Sequence, residues 1–191
     1  NPEAVRRALS GSDMAINLVG ILKGDFERAH VATAKAIAEA AAAQGLSALV
    51  QISAIGADPA SPSAYGRSKA AGEAAVMQAL PGASSLGPAS VFGRQDQFVS
   101  RFAAMIAASP LIPVVAPATL FQPVFVGDVA DAVAAALADP LAHAGKLYEL
   151  GGPSRLSMRA LQEWIARGIG RSPRPLGLPG PTAAWPARPE G

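Results

Sequence analysis

Tyr65 and Lys69 stand four residues apart in the stretch Tyr65-Gly66-Arg67-Ser68-Lys69. On a helix that spacing puts both side chains on one face, within reach of a common ligand. A lysine ammonium beside a phenol stabilises the phenolate and draws the tyrosine pKa down toward neutrality. A tyrosine tuned in this way exchanges a proton with a carbonyl or alcohol oxygen. Ser53 ends an apolar run of strand length, Leu46 to Ser53, and its hydroxyl is placed to orient a substrate oxygen beside Tyr65. An earlier strand, in the apolar run Met14 to Val19, ends near Asn17, which is read equally well as turn chemistry or as a ligand contact. Tyr and Lys at this spacing are by themselves an ordinary exposed helix pair. The two preceding strands, each ending in a small polar residue, shift the reading toward a site.

These residues need elements to hold them. Asn1-Pro2-Glu3 reads as N-cap, N1 proline and first-turn acid of a short helix to about Leu9. The continuous apolar run Met14–Val19 predicts a strand buried on both faces. Apolar positions at helical spacing predict a long helix over residues 25–44, with Gly45 as its C′ residue. A second strand over residues 46–53 follows, and Ser63 opens a helix to about Ala79. A weaker strand is expected near residues 83–87, a helix over 97–108 and broken chain over 110–117. A strand-like segment is expected over 120–126, a helix capped by Asp128 to Leu137, a strand over 146–150 and an amphipathic helix over 157–169. Alternating buried strands and helices argue an α/β fold, a parallel sheet with helices on both faces, whose ligands gather at the carboxyl ends of the strands.

Composition removes several other classes. Half of the 191 residues are hydrophobic and the net charge is only +2, so the bulk of the chain is not disordered. Gly and Pro together make about 19% of the chain, below the roughly 25–30% of low-complexity sequences. With no cysteine there is no disulfide scaffold, zinc-thiolate site or thiol nucleophile, which fits a reducing compartment. The two histidines, His30 and His143, are too far apart in sequence for a metal cluster. Arginine is scattered and then gathered in the tail, so no nucleic-acid-binding stripe emerges, and neither a membrane span nor a signal peptide is expected. From Arg171 the chain turns rich in Pro, Gly and Arg without periodicity, and residues 171–191 are expected to be an unstructured or loosely packed tail.

The remaining candidates have plainer readings. Asp128 reads as a helix cap rather than a catalytic acid. His30, on an Ala-rich helix, reads as a packed or partly exposed histidine. Glu73, four residues after Lys69, offers a helix ion pair that competes with a catalytic role for that lysine. Arg67 and Arg101 are read as solvated or phosphate-facing.

Taken jointly and in order, six stretches resemble a known family. They are Ile16-Asn17-Leu18-Val19-Gly20, residues 50–58, residues 65–73, Pro88-Ala89-Ser90-Val91-Phe92-Gly93, residues 121–130 and Tyr148-Glu149-Leu150-Gly151-Gly152-Pro153. The chain resembles the extended and atypical short-chain dehydrogenase/reductases (the NAD-dependent epimerase/dehydratase superfamily). Within them it is most similar to the NAD(P)H-binding accessory-subunit group of respiratory complex I and its bacterial relatives. The resemblance covers about residues 1–170.

It implies a Rossmann-like dinucleotide domain with a small C-terminal α+β lobe over about residues 118–170. It implies a catalytic trio of Ser53, Tyr65 and Lys69, with Lys69 also holding the nicotinamide ribose. Asn17, Leu18, Val19 and Gly20 would lie along the adenine-ribose side of NADP or NAD. Pro88, Ala89, Ser90 and Val91 would pass its carboxamide end, and Phe121 to Asp128 would shape the far side of the pocket. The family's Gly-rich pyrophosphate turn is not in these residues, and the matching stretch begins just before the family's fourth strand. The chain is therefore expected to be N-terminally truncated relative to the family. Relatives usually have Arg where this chain has Gly87. The function so implied is dinucleotide binding beside complex I subunits, with oxidoreductase chemistry open. Two rivals stand beside it: a free-standing epimerase, dehydratase or reductase, and a non-catalytic assembly subunit. The location implied is cytoplasmic in a bacterium, peripheral at the inner membrane, or the mitochondrial matrix in a eukaryote.

Overall fold

The structure, a computed structural model, describes residues 1–109, 111–172 and 174–177. It contains two compact units, residues 1–91 with 124–152, and residues 92–123 with 153 onward.

The first unit is built on a parallel sheet of order β1-β2-β3-β8, from Met14–Asn17, Ala48–Ile52, Ser84–Pro88 and Leu147–Leu150. Helix α1 (Pro2–Leu9) starts as its sequence dictates, with Asn1 Oδ1 accepting from Glu3 N–H at 3.0 Å. The segment expected as one long helix has two parts, a π-helical turn Glu27–Ala32 running into α2 (Thr33–Gln44). Gly45 ends it in the left-handed region at φ 68°, where a side chain would be strained. Helix α3 (Ala64–Ala79) follows β2, and α5 (Val126–Ala138) with the short α6 (Pro140–His143) precedes β8.

Two apolar layers hold the sheet. Leu49 and Ala15 pack on one face with Ala34, Ala38 and Ala41 of α2 and Val76 of α3. Val50 and Leu86 pack on the other with Ala136, Ala132 and Val133 of α5. Successive residues Leu49 and Val50 thus bury into opposite layers, the signature of a central parallel strand. The first strand departs from expectation. In β1 only Ala15 and Asn17 are buried, while Met14 and Ile16 are 42% and 43% exposed. α5 packs on β2 and β3, leaving one face of β1 uncovered.

The second unit holds α4 (Phe98–Ala108), β5 (Leu111–Val114), β6 (Leu120–Phe121), β9 (Leu156–Ser157), α7 (Met158–Gly168) and β10 (Arg174–Gly177). The remaining short strands, β4 (Val91–Phe92) and β7 (Val124–Phe125), lie at the junctions of the two stretches of sequence. Ile106 and Ile112 pack against Leu161 and Ile165, and Phe92 meets Trp164 edge-on at 5.3 Å. Residues 111–114, expected as broken chain, form a strand because Ile112 and Val114 are buried while Pro113 sits on a two-stranded ribbon. Residues 174–177, expected as unstructured tail, pair in parallel with that strand. The rest of the expected tail, 178–191, lies outside the described residues. The lobe expected over about 118–170 also differs from the observed unit, since 124–152 belong to the first one. Replacing Ile106 by Val removes one methyl group from the second core. The expected loss is about 0.5–1.5 kcal/mol, read as a lower denaturant midpoint at unchanged slope.

Candidate functional site

The site lies in the first unit, where β1 and β2 end. Asn17 is 2% exposed; its amide donates to Gln51 Oε1 at 2.7 Å and its Oδ1 accepts from Val19 N–H at 3.0 Å. That is turn chemistry: it stitches the two strands together and sets the exit of the loop. Ser53 continues the β2 ladder through its N–H to Leu86 O at 2.7 Å, and its hydroxyl is buried beside the Glu73 carboxyl. Gly87 of β3 makes room for this turn, since a Cβ there would meet Ala54 O at 2.9 Å. A side chain could not stand at this position without moving the loop.

Helix α3 brings the other two members of the trio. Its first turn is held by Arg67, whose Nη1 donates to Ser61 O at 2.8 Å and Pro62 O at 3.1 Å. This arginine secures a loop. Tyr65 and Lys69 line one cavity of about 240 Å³ with Ser53, Ile52, Leu18, Val19, Gly20, Ile21 and Leu22. Seven residues of the expected site or its flanks thus meet: Leu18, Val19, Gly20, Ser53, Tyr65 and Lys69 on the wall, with Asn17 bracing the loop. Pro88, Ala89, Ser90 and Val91 are not on it. Their backbone is spent on other partners, with Ile55 N–H donating to Pro88 O, Ala89 N–H to Leu150 O and Val124 N–H to Ser90 O, each near 3 Å.

The electrostatics correct one expectation. Lys69 is 4% exposed, and its Nζ donates to Ile52 O at 2.9 Å. Burial lowers its pKa, with the neighbouring Glu73 carboxylate opposing. Burial alone moves Tyr65 upward, the reverse of the shift predicted from the Tyr–Lys spacing. The ammonium is engaged by a backbone carbonyl, so removal of the phenol from water dominates. At neutral pH the Tyr65 hydroxyl is therefore protonated. Glu73 is buried, its pKa raised first by burial, with the Ser53 hydroxyl and the Lys69 ammonium opposing.

Asp128 is not the helix cap. α5 begins earlier, at Val126, with Phe125 as N-cap, and Asp128 sits exposed in the first turn, where its charge still faces the positive end of the helix dipole. His30 is 2% exposed and lies among the site's supports. Its ring, Ser68 and Gly72 went unseen in the sequence reading as parts of the site. The one available signal was Ser68 standing between Tyr65 and Lys69. Among the described residues no group of three or more His, Asp or Glu could hold a metal ion, and no helix is long and apolar enough to cross a membrane.

A parallel sheet whose second strand leads into Ser53, followed by a helix that brings Tyr65 and Lys69 to the same cavity, is the arrangement of a Rossmann-like α/β protein of the short-chain dehydrogenase/reductase class. The family described as RmlD substrate binding domain matches residues 25–188, and the chain belongs to it. The chain is 35% identical over 193 residues to NADH dehydrogenase [ubiquinone] 1 alpha subcomplex subunit 9, mitochondrial, of Arabidopsis thaliana, covering 98% of this chain and 48% of that protein. It is 33% identical to the protein of the same name in Mus musculus, covering 96% of this chain and 50% of that protein. The chain thus spans about half the length of these relatives. Among solved structures, dTDP-4-dehydrorhamnose reductase from Bacillus anthracis in complex with NADP superposes with a TM-score of 0.80 at 19% identity, covering 93% of this chain and 70% of that one. At that identity the likeness is one of fold.

Proposed function

We propose that this chain takes part in binding a nicotinamide dinucleotide, NADP or NAD, at the ends of β1 and β2, in a protein of the complex I accessory-subunit group. The observation that carries this reading is the convergence of Tyr65, Lys69 and Ser53 on one cavity. A hydroxyl, a phenol and a lysine ammonium lining one cavity suit ribose hydroxyls and a carbonyl oxygen. At about 240 Å³ the cavity is smaller than the roughly 300–1,000 Å³ of whole-ligand pockets, so it suits one end of the dinucleotide. The bound group would supply or accept a hydride.

The chain's own contribution is positional and acidic. Ser53 orients a carbonyl oxygen, Tyr65 delivers its phenolic proton to that oxygen, and Lys69 holds the ribose. A reductase reading is favoured over a purely structural subunit by Tyr65 being a neutral phenol on the cavity wall, which nucleotide retention alone does not require. The likeness to the alpha subcomplex subunits supports other complex I subunits as partners. It likewise supports the matrix side of the inner mitochondrial membrane in a eukaryote, or the cytoplasmic face in a bacterium, as the location.

The test is a fluorescence titration of the intact protein with NADH and NADPH. Saturable binding of one of them is expected, and Lys69→Ala should weaken it about 10–100-fold, the loss of hydrogen bonds to a charged donor. Absence of saturable binding, or binding indifferent to Lys69→Ala, removes the assignment.

A further inference from the structure

The proposed site depends on two backbone pieces keeping their places: the loop of residues 18–24, which forms one wall, and α3, which carries Tyr65 and Lys69. One buried side chain bonds to both. His30 Nε2 lies 3.0 Å from Ile21 N, accepting that N–H. Its Nδ1 lies 2.8 Å from Ser68 Oγ. The Ser68 hydroxyl donates its single proton to Tyr65 O at 2.8 Å, so toward the imidazole it is an acceptor. Nδ1 must then carry the proton while Nε2 must lack it. The two bonds agree on one species, the neutral imidazole with its hydrogen on Nδ1.

The ring is also clamped sideways. It stacks on Phe26 with centroids 5.3 Å apart and meets Tyr65 edge-on at 5.5 Å and 87°. The backbone that delivers it is the π-helical turn Glu27–Ala32, a rare geometry that recurs at functional sites. On α3, Gly72 permits the approach, since a Cβ there would stand 2.3 Å from His30 O.

We propose that His30 is the positioning residue of this site, its Nδ1–H imidazole fixing the Ile21 wall against the Tyr65–Lys69 face of α3, a role that rests on the dinucleotide reading above. Burial, and the Lys69 ammonium after it, hold the His30 pKa below its ordinary value, so the required neutral form prevails at pH 7. Among titratable groups on the elements packed against it, Tyr65 and Lys69 of α3 are its neighbours. Lys35 and Glu39 of α2 pair with each other at the surface, and Asp25 Oδ1 accepts from Arg28 N–H. With the folded pKa depressed, His30 binds its proton less readily folded than unfolded. Its contribution to stability is therefore present above pH ~6.5 and is lost as pH falls from there through the folded value. The proton gained on Nε2 abolishes the acceptor for Ile21 N–H.

The test uses the intact protein with ¹⁵N-labelled histidine and two variants. The nitrogen spectrum at pH 7.5 should show His30 protonated on Nδ1 and bare on Nε2, the minority form for free imidazole. His30→Phe keeps the ring stack and loses both bonds; dinucleotide affinity should fall about 10-fold. His30→Gln offers an amide oxygen to Ile21 and should keep affinity within about threefold. The wild type should lose affinity as pH drops below 6.5, whereas His30→Gln should not show that component. A His30 spectrum with the proton on Nε2, or a folded His30→Phe that binds as tightly as wild type, overturns the assignment. A protein that shows the expected tautomer but binds no dinucleotide overturns the proposed function and leaves the Ile21–His30–Ser68 link standing.

Discussion

Tyr65→Phe is expected to lower carbonyl reduction by the intact protein about 10²–10⁴-fold, the usual worth of a positioned general acid. Dinucleotide affinity should stay within about twofold. The phenyl ring keeps its edge contacts with His30 and Phe26, and only the proton-bearing oxygen is lost. Burial holds the Tyr65 pKa above the ordinary tyrosine value, so the phenol stays protonated through the physiological range. Turnover in the reducing direction should therefore persist into alkaline pH and decline only where the phenol ionises. Steady-state rates for wild type and Tyr65→Phe across pH 6–11 provide the check. A rate unaffected by the substitution removes Tyr65 from the chemistry. A parent protein that binds dinucleotide and turns over no carbonyl substrate supports the assembly-subunit reading instead.

Gly72→Val should be the most damaging single change outside the cavity. A Cβ at this position would stand 2.3 Å from His30 O and 3.2 Å from its carbonyl carbon, both backbone atoms. Neither can swing aside like the end of a flexible side chain, so the π-helical turn and α3 must separate. Overpacking of a tight core contact costs about 1–3 kcal/mol, and a β-branched residue pressed onto backbone belongs at or beyond the upper end. The gain in helix propensity over glycine, under about 1 kcal/mol, does not offset it. Equilibrium unfolding should show a loss of about 3 kcal/mol, and any folded fraction should bind dinucleotide weakly because the Ile21–His30–Ser68 link is broken. Gly72→Val with wild-type stability would show that the approach is not tight in solution.

The residues that line the cavity were easier to read from the sequence than those that hold them in place. Strand and helix periodicity placed Asn17, Ser53, Tyr65 and Lys69 at the right ends of the right elements, because buried parallel strands and amphipathic helices write themselves locally. Gly45 and the Asn1-Pro2-Glu3 start were legible for the same reason. The π-helical turn was not, since residues 27–32 carry the same Ala-rich helical pattern as α2, and the extra residue in the turn answers to packing against α3. The downward shift expected for Tyr65 failed because residue spacing says nothing of what else engages a lysine; here the Ile52 carbonyl does. The exposure of Met14 and Ile16 was hidden because a continuous apolar run does not say which face another element covers. Pro113 masked β5 because proline reads as a strand breaker, although an edge position tolerates it.

The second unit is stitched from two stretches separated by residues 124–152, and this has a consequence for synthesis on the ribosome. α4 emerges with Phe102 and Ile106 on its apolar face, but Leu161 and Ile165, which cover it, lie about sixty residues downstream. At roughly 5–20 residues per second that face stays uncovered for about 3–12 s, far longer than a helix needs to form. Within that interval the nascent chain displays a sticky amphipathic helix, a natural handle for a chaperone. Slowing translation between residues 109 and 158 should therefore raise the aggregated fraction, whereas slowing it after residue 170 should have little effect.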